Sequence, residues 1–126
     1  MLYYVYMNHN IKGTGLQITD ELRGYVEKRL LVADKFVGKD STAHADVELE
    51  FAQVRDGGKY RAEFNLALGG GLYRAEQWGH SMHEAIDLAI AVLENELRKT
   101  KKKHQHLVRR GAGAIKDMVR GLRDRF

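Results

Sequence analysis

The chain of 126 residues contains no cysteine. Disulfide scaffolds, iron–sulfur clusters, cysteine-ligated zinc modules and thiol nucleophiles are therefore excluded. It also contains no proline, so every chain reversal relies on glycine or on Asn/Asp chemistry. No apolar run approaches the roughly 20 residues needed to span a bilayer. The opening Met1–Met7 is apolar and aromatic, but it has neither a preceding basic region nor a following small-residue cleavage site. It does not read as a signal peptide, and the expected compartment is the cytoplasm. The length suits one domain with a real core and is too short for two.

Charge is unevenly distributed. The formal net charge is +4, yet residues 1–97 hold ten Lys/Arg against fifteen Asp/Glu, a net −5. Residues 98–126 hold eleven Lys/Arg against Asp117 and Asp124 alone, a net +9. A step of this size points to a polyanion or a membrane surface as partner of the C-terminal part; a solvated tail is the plain alternative.

Residues 2–12 are rich in Tyr, Val, Leu and Ile and favour a strand, broken by Gly13 and Gly15. Thr19 is a good N-cap, and Asp20 and Glu21 suit the positive end of a helix. Leu22, Tyr25, Val26, Arg29, Leu30, Ala33 and Val37 follow at helical spacing. They predict an amphipathic helix over 20–36, stopped by Gly38 at C′. Strict alternation over 43–51, with Ala43, Ala45, Val47, Leu49 and Phe51 on one face, predicts a half-buried strand. Asp56-Gly57-Gly58 marks a hairpin turn before a second alternating strand over 59–68. Gly69-Gly70-Gly71 marks another turn, before a short strand over 72–78. Ser81 with Glu84 fits a capping box, and Met82, Ala85, Ile86, Ala89, Ile90, Leu93 and Leu97 trace a helix over 82–102. The expected fold is an α+β two-layer sandwich, β-α-β-β-β-α. An antiparallel four-stranded sheet would have both helices packed on its one apolar face. Residues 1–103 form this domain. Residues 104–126 form a basic tail, whose Ala114, Ile115, Met118, Val119 and Leu122 fit a short amphipathic helix. Such a helix is marginal alone and is expected to fold on a partner.

Catalytic signals are weak. Ser81 lies between His80 and His83 without a nucleophile motif, and helix capping accounts for it. His80-x-x-His83 and His104-x-His106 lack a third ligand at recognisable spacing, so no metal or other cofactor is expected. The triglycine lacks a following Lys-Ser/Thr and reads as a turn rather than a phosphate loop. Asp46, Glu48 and Glu50 share a strand face that solvation explains.

Nucleic-acid binding is the stronger reading. If both helices cover one sheet face, their outward surfaces form one layer. Arg23, Lys28, Arg29 and Lys35 of the first helix would then join Arg98, Lys99, Lys101, Lys102 and Lys103 of the second. Such a stripe matches phosphate spacing and binds in a salt-dependent way. Local charge balance, of Lys28 by Glu27 and of Lys35 by Asp34, is the alternative. Trp78 and Tyr73 read as packing or edge residues rather than base-stacking platforms.

Four segments together resemble one family. Ile18-Thr19-Asp20-Glu21-Leu22-Arg23-Gly24-Tyr25-Val26-Glu27-Lys28-Arg29-Leu30 is similar to the first helix of the bacterial ribosome hibernation factors, also called ribosome-associated translation inhibitors. Gly70-Gly71-Leu72-Tyr73-Arg74-Ala75 resembles their third hairpin, Ser81-Met82-His83-Glu84-Ala85-Ile86-Asp87 the opening of their second helix, and Leu93 to Lys103 its basic end. The resemblance covers about 5–103 and implies the β-α-β-β-β-α fold, no catalysis and no cofactor. It implies the small ribosomal subunit and its rRNA as partners, contacted in the channel for messenger and transfer RNA, with no membrane and no small-molecule substrate. Translation is then blocked and idle ribosomes are preserved during stationary phase or stress. Matching positions carry RNA backbone contact to Arg23, Arg29, Arg98, Lys99 and Lys101; local charge adds Lys28, Lys35, Lys102 and Lys103. The chain departs from the family at His83, usually aromatic, and at Val32, Val92 and Asn95, often basic. It looks like a short form with its own basic extension. A general binder of structured RNA, unconnected with ribosomes, is the alternative function.

Overall fold

The computed structural model describes residues 5, 7–38, 42–54 and 57–109, with the backbone alone at 54, 57–58 and 102–109. Its elements follow the expected order: β1 (Asn8–Thr14), α1 (Asp20–Asp34), β2 (His44–Val54), β3 (Gly57–Leu68), β4 (Gly71–Gly79) and α2 (Met82–Arg109). The chain divides into Met1–Asn95 and Glu96–Phe126.

Alternation in β2 and β3 builds the core. Ala45, Val47 and Leu49 pair with Leu66, Phe64 and Ala62, and all six are buried. Ile11 of β1 lies beside Val47, and Ala75 of β4 beside Phe64, on the same face. Two apolar helix stripes complete this layer: Val26, Leu30 and Ala33 of α1, and Met82, Ala85, Ile86, Ala89, Ile90 and Leu93 of α2. The result is the α+β sandwich that the patterning implies. Fully burying each large apolar side chain is worth about 1.5–3 kcal/mol.

The sheet is mixed, not antiparallel. Its order is β1-β2-β3-β4, and β1 runs parallel to β2. The cause is the helix between them: α1 carries the chain back to the end where β1 began, so β2 repeats its direction. Strand β1 also lies further along than expected. It contains Gly13, where a Cβ would stand 2.6 Å from the Leu16 carbonyl oxygen. Much of the predicted Met1–Met7 segment lies outside the described residues.

Helix α1 starts as expected, with the Thr19 hydroxyl accepting from Leu22 N–H at 3.2 Å. It ends at Asp34, short of 36, because Phe36 and Val37 bond three residues back, to Ala33 and Asp34. Gly38, at φ +60°, closes that turn rather than the helix itself. Gly57 and Gly58 belong to β3, and Gly71 to β4; Asp56 lies outside the described residues. Helix α2 continues past 102 to Arg109. No strong helix breaker precedes Gly111, so propensity permits the extension. The rest of the predicted tail, from 110 onward, lies outside the described residues.

Candidate nucleic-acid interface

The phase of α1 sorts its cations. Val26, Leu30 and Ala33 face the sheet. At 100° per residue, Lys28 and Lys35 stand on the opposite side, and both are exposed, as is Arg23. Lys35 caps the helix C-terminus, where a cation is favoured, and its Nζ lies 5.5 Å from the Phe36 ring centre.

Arg29 behaves differently. Its Nε lies 3.1 Å from Asp87 Oδ1 of α2, without a hydrogen-bond alignment. Beside it, the Tyr25 hydroxyl donates to the same carboxylate oxygen at 2.6 Å. That bond, then burial and the Asp87 charge, push the Tyr25 phenol above its usual range, against the opposing pull of Arg29. The His83 ring meets Tyr25 edge-on, with centres 4.3 Å apart, and its Nε2 is 3.5 Å from Glu21. Arg29 thus ties α1 to α2 within residues 1–95. Its place in the apolar periodicity, directly before Leu30, is the sequence signal for this position.

From Met82 to Asn95, α2 carries no Lys or Arg. Val92 and Asn95, two of the positions at which the resemblance led to an expectation of basic residues, are exposed. Val32 of α1 is half-buried. In the C-terminal unit, Arg98, Lys99 and Lys101 are exposed on α2. Lys99 Nζ sits 3.6 Å from Glu96, whose carbonyl accepts from the Thr100 hydroxyl at 3.1 Å. The side chains of Lys102, Lys103, His104 and His106 lie outside the described residues.

Capping accounts for Ser81 as expected. Its hydroxyl accepts from Glu84 N–H at 3.1 Å, and Glu84 accepts from His80 N–H at 3.5 Å. The carboxylate face of the sheet is more than a solvated surface. Arg61 Nε donates to Glu50 at 2.7 Å and Nη1 to Glu63 at 3.0 Å, while Nη2 bonds Glu48. Glu76 lies 3.5 Å from Nη1. Desolvation pulls the guanidinium down, but the bonds from Glu50, Glu63 and Glu48 outweigh it and hold it above its ordinary value. Glu48 is held below the usual carboxylate range by its bond to Arg61 and then by Thr14; Glu63 is lowered chiefly by Arg61. Composition did not reveal this centre, because Arg61 meets Glu50 only once the β2–β3 register is known.

Residues 9–105 match the family described as Sigma 54 modulation protein / S30EA ribosomal protein. The chain belongs to this family. The S30EA match runs from β1 to the basic end of α2, much the span of the motif resemblance. The family is ribosome-associated and non-enzymatic. One S30EA relative, the ribosome hibernation promotion factor of Deinococcus radiodurans, is 35% identical over 97 residues, covering 76% of this chain and 50% of that protein. The ribosome hibernation promoting factor of Pseudomonas putida is 30% identical over 108 residues, covering 86% of this chain and 99% of that one. The crystal structure of the Thermus thermophilus Protein Y N-terminal domain is 36% identical with a TM-score of 0.62, covering 79% of this chain and 99% of that one. The chain spans about half the length of several curated relatives, those of D. radiodurans and Bacillus subtilis among them.

Proposed function

We propose that this S30EA protein is a cytoplasmic hibernation factor. It binds small-subunit ribosomal RNA in the messenger and transfer RNA channel and keeps idle ribosomes inactive. The exposed cations Arg98, Lys99 and Lys101, on a helix inside the family match, carry the reading. Lys102 and Lys103 continue the run, and Arg23, Lys28 and Lys35 add cations on α1. Arg29 contributes mainly by fixing α1 to α2, with its charge shared with Asp87. Phosphate contacts fix position and carry no sequence information, so selectivity rests on the shape of the folded RNA. Occlusion needs no chemistry, only competition with transfer and messenger RNA by mass action.

The test replaces Arg98, Lys99, Lys101, Lys102 and Lys103 with Ala and measures co-sedimentation with small subunits. Binding is expected to be lost while circular dichroism stays native. Each single replacement is expected to lower the salt slope by about one. Retained co-sedimentation would overturn the assignment. Equal affinity for intact subunits and a generic RNA duplex at one salt concentration would favour the general RNA binder instead.

A further inference from the structure

The large hydrophobic side chains exposed among the described residues are Leu72, Trp78, Leu88 and Val92. Two stand on β4 and two on α2. Among the described residues, strand β4 ends the sheet, with β3 on one side only.

Hairpin geometry fixes what its open edge presents. Leu68 pairs with Gly71 around Gly69–Gly70, whose φ angles are 58° and 79°. The pair closing such a two-residue turn exchanges both backbone hydrogen bonds, and bonded and unbonded pairs alternate from there. Tyr73, Ala75 and Gln77 therefore turn their peptide groups to β3. Leu72, Arg74, Glu76 and Trp78 turn theirs to the open edge, with their side chains on the helix-free face. The β3–β4 register is unbroken from Gly71 to Gly79. Proline, lysine and bulges, three of the usual means of blunting an edge, are missing from it, and its only charges are the opposite pair Arg74 and Glu76.

We infer that β4 is a docking edge for a second copy of this chain. The edge reads apolar, cationic, anionic, apolar, which is its own complement when reversed. An antiparallel copy related by a two-fold axis at Ala75 sets Arg74 opposite the partner's Glu76 and Leu72 opposite the partner's Trp78. Shifting the axis by one residue sets Arg74 against Arg74, or Glu76 against Glu76, so charge selects one register. Glu76 stands opposite Glu63 on β3, a like charge, and the two share Arg74, at 3.0 Å and 2.7 Å, and Arg61, at 3.5 Å and 3.0 Å.

The helical layer agrees. His83 and Asp87 face α1. At 100° per residue, Leu88 and Val92 lie on the other flank of α2. Helix α1 turns its far flank to the β1 side, through His9–Glu27 at 3.7 Å and Met7 N–H to Asp34 at 3.2 Å. The order across the sheet is β1, α1, α2, β4 edge. The two-fold keeps both helical layers on one side, and Leu88 and Val92 face their counterparts across it. One surface thus accounts for all four exposed hydrophobic side chains.

Sedimentation equilibrium of the full chain tests this. The mass of the wild type is expected to rise from one chain to two with concentration. Leu72→Lys, at a position 87% exposed and outside the core, keeps it at one. Arg74→Glu and Glu76→Arg each place two like-charge contacts in the dimer and weaken association more than about tenfold. Mixing these two variants makes every contact complementary and restores a dimer. A wild type that stays at one chain up to its solubility limit would overturn the proposal. So would a dimer insensitive to Leu72→Lys, or folded Arg74→Glu and Glu76→Arg chains that fail to associate when mixed.

Discussion

Replacing Arg61 with leucine probes the open face of the sheet. The Arg61 side chain is 11% exposed, and its carboxylate neighbours range from Glu63 at 15% to Glu76 at 37%. Removing one partner of a buried pair costs about 3–5 kcal/mol. An exposed pair is worth about 0–1 kcal/mol. This centre lies between those limits. Arg74 still serves Glu63 and Glu76, and Lys12 stands 3.9 Å from Glu48. The expected loss at pH 8 is therefore about 2–3 kcal/mol, or a fall in Tm of roughly 10–20 °C for a domain near this size.

The pH dependence distinguishes lost charge pairing from lost packing. In the wild type, Glu48 and Glu63 are held below the ordinary carboxylate value of 4.5. Their contribution is present above that value and is lost as pH falls through the lower folded-state values. Without Arg61, crowded carboxylates repel and their folded-state values rise above the unfolded ones. Protonation then relieves the folded state, so the variant gains stability as pH falls through the raised values. The gap between the two proteins narrows from pH 8 to pH 5. Urea unfolding at both values reads it as the difference in midpoint at constant m. A gap equal at both pH values, or no gap at pH 8, would refute the reasoning.

Two other substitutions test how the helices and loops are held. Tyr25→Phe removes the donor to Asp87 while keeping the ring against His83, and is expected to cost about 0.5–1.5 kcal/mol in urea unfolding; an unchanged midpoint would mean that the bond does not bridge the helices. Gly15 has φ +73°, and a Cβ there would stand 2.4 Å from the Phe51 carbonyl oxygen. Gly15→Ala is expected to destabilise by more than about 1 kcal/mol, and a neutral thermal melt would contradict that geometry.

Local rules made most of the fold legible. Alternation in Ala45–Leu49 and Ala62–Leu66 identified the buried face, and Thr19 and Ser81 marked both helix starts. Three features lay beyond such rules. The direction of β1 depends on where a crossover helix returns the chain, which no residue in β1 encodes. The α1 end depends on the turn that delivers Gly38, two residues beyond the simple C-cap pattern. The Arg61 centre depends on cross-strand register, which joins residues eleven apart, as in Arg61–Glu50. In the candidate interface, charge singled out Arg23, Lys28, Lys35, Arg98, Lys99 and Lys101, all of which are exposed. Arg29, which charge and the family resemblance both added to them, also lies 3.1 Å from Asp87 across the two helices, a pairing that no local pattern encodes.

Under the proposed function, the charge step along the chain assigns different work to its two parts. Residues 1–97 sum to −5. Their open sheet face carries Asp46, Glu48, Glu50, Glu63 and Glu76 against Lys12, Lys59, Arg61 and Arg74. That face, its acids largely paired with Arg61, Arg74 and Lys12, offers phosphate no net attraction, and its field fades beyond a Debye length of about 8 Å at physiological salt. The domain alone therefore has little long-range attraction for RNA. The net +9 of residues 98–126 supplies that attraction, beginning at Arg98. Attraction from the C-terminal part therefore dominates the approach to RNA. Arg23, Lys28 and Lys35 then act after encounter, fixing orientation rather than driving capture. Their removal would raise the dissociation rate more than it lowers the association rate, whereas neutralising Arg98–Lys103 would lower association first.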